Sequence, residues 1–115
     1  NGVRGKLCSK PVELLSIFPT LSEICELPHP NQIDGLSIKR LLDNPQSKWN
    51  HPAITTFNKG NHSIRSERYR YIRYADGSEE LYDHKTDSNE WNNLVNDLEY
   101  TKVRESHIKW LSVVK

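Results

Sequence analysis

The stretch Lys59-Gly60-Asn61-His62 sets an ammonium group, a carboxamide and an imidazole around one glycine turn, a combination able to touch an anionic substrate. Judged by residue type alone, the same stretch reads more readily as a solvated connection between strands. Five histidines, His29, His51, His62, His84 and His107, stand far apart with no H-x-H or H-E-x-x-H spacing and no cysteine pair beside them. No metal site is expected from this chain alone. The G-x-S-x-G, P-loop and G-x-G-x-x-G spacings are also missing, which leaves nucleophilic and nucleotide chemistry without an anchor. Serines and histidines at large separations make many chance pairs, so a serine triad carries no weight. Cys8 and Cys25 are too few for a disulfide framework and lack the C-x-x-C spacing. One bridge between them stays open beside the simpler reading of free thiols, one partly buried.

Arg65, Arg68, Arg70 and Arg73 alternate with Tyr69, Tyr71 and Tyr74, as on some nucleic-acid surfaces. The whole chain carries a formal charge of only +1, and Glu67 lies among these arginines. Paired surface charge is the better account, and no nucleic-acid partner is expected. Asn61-His62-Ser63 fits the N-glycosylation acceptor pattern, for which chance is the default. The N-terminus lacks a basic segment leading into an apolar one, and no apolar run approaches the roughly 18 to 20 residues needed to cross a bilayer. No membrane partner is expected.

The elements that must position these groups can be read from periodicity. With 115 residues, 35% of them hydrophobic, the chain has room for a thin core and a large wetted surface. Val12, Leu15, Phe18, Leu21 and Cys25 recur at helical spacing and predict an amphipathic helix from Pro11 to Glu26, kinked or restarted at Pro19. Turn chemistry fills Leu27-Pro28-His29-Pro30-Asn31-Gln32, Asp34-Gly35 marks a reversal, and Leu36, Ile38, Leu41 and Leu42 predict a second helix of about two turns. Four strands follow, near 53–57, 62–67, 69–74 and 79–83.

Asp76-Gly77 is the best hairpin signal, and a two-residue turn there would oppose Tyr74 to Glu79, Arg73 to Glu80, Ile72 to Leu81, Tyr71 to Tyr82 and Arg70 to Asp83. Every such pair is compatible. A loop over 87–96 should plug onto the sheet through Trp91 and Leu94. Asn96 with Glu99 resembles a cap for a terminal amphipathic helix carrying Tyr100, Val103, His107, Trp110 or Leu111, and Val114. The expected architecture is α+β: a helical lead-in, an antiparallel sheet of about four strands, and a C-terminal helix packed on it.

Two stretches bear a family resemblance. Pro11-Val12-Glu13-Leu14-Leu15-Ser16-Ile17-Phe18-Pro19-Thr20-Leu21, then Asp34-Gly35-Leu36-Ser37 and Leu41-Leu42, resembles a segment of type I sulfatases reading P-V-x-L-x-D-x-x-P-T-L, then D-G-x-S-x-x-x-L-L. Ile64 to Tyr74, with Glu80-Leu81-Tyr82-Asp83, Asp87, Glu90, Asn93 and Leu94, is similar to their C-terminal signature R-T-x-R-x-K/R-Y-I-x-Y, E-L-Y-D, D-P-x-E-x-x-N-L. The stretch from Lys59 to Arg65 is most similar to the iduronate-2-sulfatase-like group. Ser16 replaces the usual Asp, and Ser88 the usual Pro.

The resemblance implies the C-terminal portion of an alkaline phosphatase-like sulfatase, with 1–50 ending the large domain and 51–115 forming a C-terminal subdomain. It implies a sulfuric ester hydrolase acting on a sulfated glycan through a formylglycine nucleophile and a calcium ion, both held upstream of these residues. Neither Cys8 nor Cys25 stands in the C/S-x-P-x-R motif, so no catalytic residue is expected here and the piece alone should be inactive. The missing N-terminal sulfatase domain is the expected partner, and without it the isolated piece should be poorly soluble or self-associate. Lys59, Asn61 and His62 are the expected rim of the substrate pocket. A periplasmic, secreted or lysosomal address follows from the family. The alternatives are a noncatalytic interaction module and a related phosphoester or phosphonate hydrolase.

Overall fold

A computed structural model describes residues 2–28 and 34–114. Two compact units divide the chain, Asn1–His51 and Pro52–Lys115. The expected turn through His29, Pro30, Asn31 and Gln32 lies outside the described residues.

In the first unit Glu13 is still extended, a 3-10 turn spans Leu14–Ser16, and helix α1 runs Ile17–Ile24. The helix therefore begins later than its apolar periodicity suggested. Pro19 falls in the first turn of α1, where a missing donor is tolerated. Within this unit the helix buries its other face: Ser16, Pro19, Thr20 and Ser22 are buried, while the apolar stripe of Val12, Leu15, Phe18, Leu21 and Cys25 is exposed.

Small hydroxylic residues allow close backbone approach, and α1 uses them. Thr20 Oγ1 donates to the Ser16 carbonyl at 2.5 Å and accepts the Ile38 amide at 2.9 Å. The D-G-x-S segment also meets the 3-10 turn at Gly35, where a Cβ would lie 2.4 Å from the Leu15 carbonyl oxygen. Pro19 has no N–H to offer that carbonyl. Helix α2 spans only Lys39–Asp43, shorter than predicted, and buries its Leu41. Cys8 and Cys25 are both free and exposed, so neither the bridge nor a partly buried thiol is present.

The second unit is an antiparallel meander, β1 (Ala53–Thr56), β2 (His62–Arg65), β3 (Tyr69–Arg73) and β4 (Glu79–Asp83), in that spatial order. The register of the last pair differs by one residue from the two-residue-turn expectation: Tyr71 faces Leu81, Ile72 faces Glu80 and Arg73 faces Glu79. A two-residue turn of that kind needs positive φ at both central positions. Gly77 adopts it (φ 89°), but Asp76 does not. The Asp76 carboxylate instead accepts the Ser78 amide at 2.8 Å and its hydroxyl at 2.7 Å. The loop becomes Ala75-Asp76-Gly77, closed by Tyr74 N–H on Ser78 O. One residue of slip exchanges the faces of a strand, and here it brings Tyr71 and Leu81 together with Ile64 in the core.

The outer edge of β4 is covered by the loop after it. Asn93 Oδ1 accepts the Leu81 amide at 3.0 Å, the Leu94 amide donates to the Leu81 carbonyl at 2.8 Å, and the Leu94 side chain packs on the core. Trp91, expected to plug onto the sheet, is 80% exposed. Glu90 takes a left-handed φ of 59° and reaches Arg70 at 2.8 Å and His84 at 2.5 Å. Asp83, fully buried, receives a two-pronged bond from Arg68, and this bond outweighs desolvation to hold the carboxyl below its ordinary range.

The terminal helix enters through a 3-10 turn, Leu98–Tyr100, capped by Asp97 rather than Asn96. Helix α3 then runs Thr101–Ile108 and is followed by a 3-10 segment, Lys109–Val113. Tyr100, Val103, Ile108, Trp110 and Leu111 pack on the sheet. His107 is buried between them, with Nδ1 2.7 Å from the Val103 carbonyl and Nε2 3.0 Å from Ser66 Oγ.

Burial pushes the His107 pKa below 6.5, outweighing its bond to Val103. The unfolded chain therefore takes up this proton first. Stability is complete above 6.5 and is lost as pH falls through the lowered folded value. Urea midpoints measured at about pH 7.5 and about pH 5.5 should differ, and His107→Gln should shrink the difference. An unchanged difference in the variant would assign the pH dependence elsewhere.

Candidate functional site: a basic hollow between two hairpin loops

The β1–β2 and β3–β4 loops lie at the same end of the meander. Phe57 N–H bonds to Asn61 O at 3.0 Å, closing the first loop over Asn58, Lys59 and Gly60. Asn58 (φ 54°) and Gly60 (φ 84°) carry its left-handed turns. The loop is stitched to its neighbour. Asn61 Oδ1 accepts the Ala75 amide at 3.2 Å, and a Cβ on Gly60 would come within 3.1 Å of Ala75 Cβ. Asn61 Nδ2 also reaches the Lys59 carbonyl at 3.4 Å.

An open hollow of about 570 Å³ lies between these loops, lined by Lys59, His62, Arg73, Tyr74 and Leu111 together with loop glycines and Ala75. The structure thus gathers Lys59 and His62 at one surface, whereas Asn61 spends its side chain on holding the loops together. His62 stands directly opposite Arg73 in the register, with its Nδ1 3.0 Å from Thr56 Oγ1.

Arg73 is the residue that sequence reasoning missed, because the expected register opposed it to Glu80. It bonds instead to Glu79, whose side chain is only 8% exposed. Arg104 from α3 binds the other Glu79 oxygen, and the Tyr71 hydroxyl donates to Oε1 at 2.9 Å. Burial works against the Glu79 charge, but the bonds from Arg104 and Tyr71 and the charges of both arginines outweigh it, leaving the pKa lowered. The signal for Arg73 was available in turn chemistry, since an Asp-Gly pair also serves in a three-residue loop with glycine last.

The hollow is suited to holding an anion, and no Ser, Thr or Cys side chain is among its lining residues. Ser66 and His107 lie 3.0 Å apart, yet Ser66 Oγ also accepts the Tyr69 amide at 3.2 Å and neither residue lines the hollow. Among the described residues no three His, Cys, Asp or Glu side chains gather as metal ligands.

A meander of four antiparallel strands covered by a terminal helix is the arrangement found in alkaline phosphatase-like hydrolases. The structure of a phosphonate monoester hydrolase from Agrobacterium radiobacter matches with a TM-score of 0.64 at 26% identity, over 84% of this chain and 23% of that one. Residues 4–114 match the family described as N-sulphoglucosamine sulphohydrolase, C-terminal, and the chain belongs to that family. A sulfatase from Formosa agariphila is 40% identical over 87% of this chain and 20% of its own length. A Delta 4,5-hexuronate-2-O-sulfatase from Bacteroides thetaiotaomicron is 30% identical over 81% of this chain and 21% of its own. The chain spans about a fifth of the length of the curated relatives it matches.

Proposed function

We propose that this chain is the C-terminal part of a sulfatase that hydrolyses sulfate esters of a glycan, within the iduronate-2-sulfatase-like group. The carrying observation is the family match over 4–114, together with the 40% identity to a sulfatase. In this reading Lys59 and His62 stand at the rim of the substrate pocket, with Asn61 holding the loop that carries them.

The residues present do not fit the calcium site of the family, since no ligand cluster forms among those described. Calcium and formylglycine then belong to the rest of the protein, and no step through either is assigned to this chain. That remaining part is also the partner for the apolar face of the first unit, where Leu14, Leu15, Ile17, Phe18, Leu21 and Ile24 are exposed. The isolated 115-residue chain should therefore self-associate in sedimentation experiments, while the longer protein should not. A monodisperse, monomeric fragment would count against this face being a buried interface.

The assay that tests the activity compares aryl sulfate, phosphate and phosphonate esters on the complete protein. Preference for sulfate is expected. The structural match to a phosphonate monoester hydrolase makes phosphonate hydrolysis the second reading. Preference for phosphonate would replace the first reading with the second, and no hydrolysis of any ester would favour a noncatalytic module.

A further inference from the structure

We infer that the hollow between the two hairpin loops is a subsite for a carboxylate or sulfate group on the sugar next to the one being hydrolysed, with Lys59, His62 and Arg73 as its ligands. This rests on the reading of the chain as part of a glycan sulfatase. It goes beyond that reading by assigning a second recognition point and the chemistry it selects.

The charge around the hollow is uneven in a way the whole chain is not. Formal net charge is +1 over 115 residues, yet the hollow is lined by Lys59, His62 and Arg73 and by no carboxylate. Glu79 is the carboxylate bound to Arg73, and it is shared with Arg104. One negative charge thus serves two guanidinium groups, and neither Asp76 of the β3–β4 loop nor Glu80 of β4 lines the hollow. His62 and Arg73 occupy directly opposed positions on β2 and β3, so both side chains leave the same face of the sheet and reach the hollow together.

The geometry is also held in advance. Glu79 fixes one prong of Arg73, Thr56 engages Nδ1 of His62, and the Asn61 and Gly60 contacts with Ala75 set the spacing of the two loops. Groups already in place lose little freedom on binding. Tyr74 and Leu111 add carbon surface to the lining, which suits the mixed character of a sugar ring better than a bare inorganic ion.

The test uses the complete protein and three probes: glucuronic acid, glucose 6-sulfate and glucose. Both acidic sugars, or one of them, should bind more tightly than glucose. Lys59→Ala and His62→Gln should each weaken acidic-sugar binding about tenfold, as expected for a charged hydrogen bond, with glucose unaffected. Arg73→Lys, which keeps the charge facing Glu79, tests the forked geometry and should weaken binding less than Lys59→Ala. Lys102→Ala, exposed on α3, is the control and should change nothing.

Tighter binding of glucuronic acid identifies a carboxylate subsite, and tighter binding of glucose 6-sulfate a sulfate subsite. Equal binding of all three probes, or acidic-sugar affinities within twofold of wild type in both Lys59→Ala and His62→Gln, would overturn the inference. Failure of the sulfatase reading registers separately, as absent aryl sulfate hydrolysis by the wild-type protein, while the binding constants still decide the subsite.

Discussion

Glu79→Ala should destabilise the second unit by about 3 kcal/mol, one of the two largest losses expected from a single substitution in this chain. The side chain is 8% exposed and joins three elements: Arg73 of β3, Arg104 of α3, and the hydroxyl of Tyr71 in the core. Its removal strands two guanidinium groups against each other and leaves the Tyr71 hydroxyl without its acceptor. Both arginines are 37% exposed, so water recovers part of their solvation and the loss stays near the low end of the range for a broken buried pair.

Glu79→Gln retains an acceptor for Tyr71 but no charge, and should cost about half as much. Urea unfolding of both variants measures this. A loss below about 0.5 kcal/mol for the alanine variant would mean that the cluster contributes no more than exposed pairs do. The sign of the pH dependence follows from the lowered Glu79 pKa. Its contribution is present above the ordinary carboxylate value of 4.5 and disappears as pH falls through the folded value. The loss from Glu79 therefore sets in at lower pH than that from His107, and Glu79→Gln and His107→Gln assign the two separately.

The comparable loss in the first unit is expected from Gly35→Ala. Two independent causes act at this position. A φ of +94° is strained for any residue with a Cβ, at about 1 to 2 kcal/mol. The new methyl would also lie 2.4 Å from the Leu15 carbonyl oxygen, a backbone atom that cannot rotate aside. Relief requires the D-G-x-S segment to move away from α1, which would strain the bond between Thr20 Oγ1 and the Ile38 amide. The sum should be about 3 kcal/mol or more.

Gly77→Ala is the matched comparison. Its φ is +89°, but a Cβ there meets nothing within 4 Å, so only the conformational cost of about 1 kcal/mol should appear. Equal losses at the two glycines, read from urea midpoints, would show that the contact with Leu15 does not constrain the fold.

The strands and the terminal helix were legible in the sequence because each is a local property: β-branched and aromatic runs between turn residues, and apolar residues at helical spacing. The family was legible for a related reason, since signature positions such as Gly35, Asp83, Glu90 and Asn93 are fixed by backbone geometry or buried bonding that few other side chains can supply. What the chain alone left open was anything depending on a choice between locally equivalent states. The two registers of the last hairpin both gave compatible pairs. The Asp76 bonds to Ser78 and packing under α3 together select the one that places Tyr71 and Leu81 with Ile64 and turns Arg73 toward Glu79.

What covers α1 was left open for a related reason. Periodicity correctly found an apolar stripe, but it cannot say what covers that stripe, and within this unit the close contact is made by Ser16 and Thr20. Residue types likewise placed Lys59, Asn61 and His62 near one another without distinguishing their roles. Tertiary structure decided that Lys59 and His62 line a hollow, that Asn61 stitches its two loops, and that Arg73 joins them, because these roles depend on contacts between separate hairpins. Local chemistry determined which elements form, and long-range packing determined which side chains they present together.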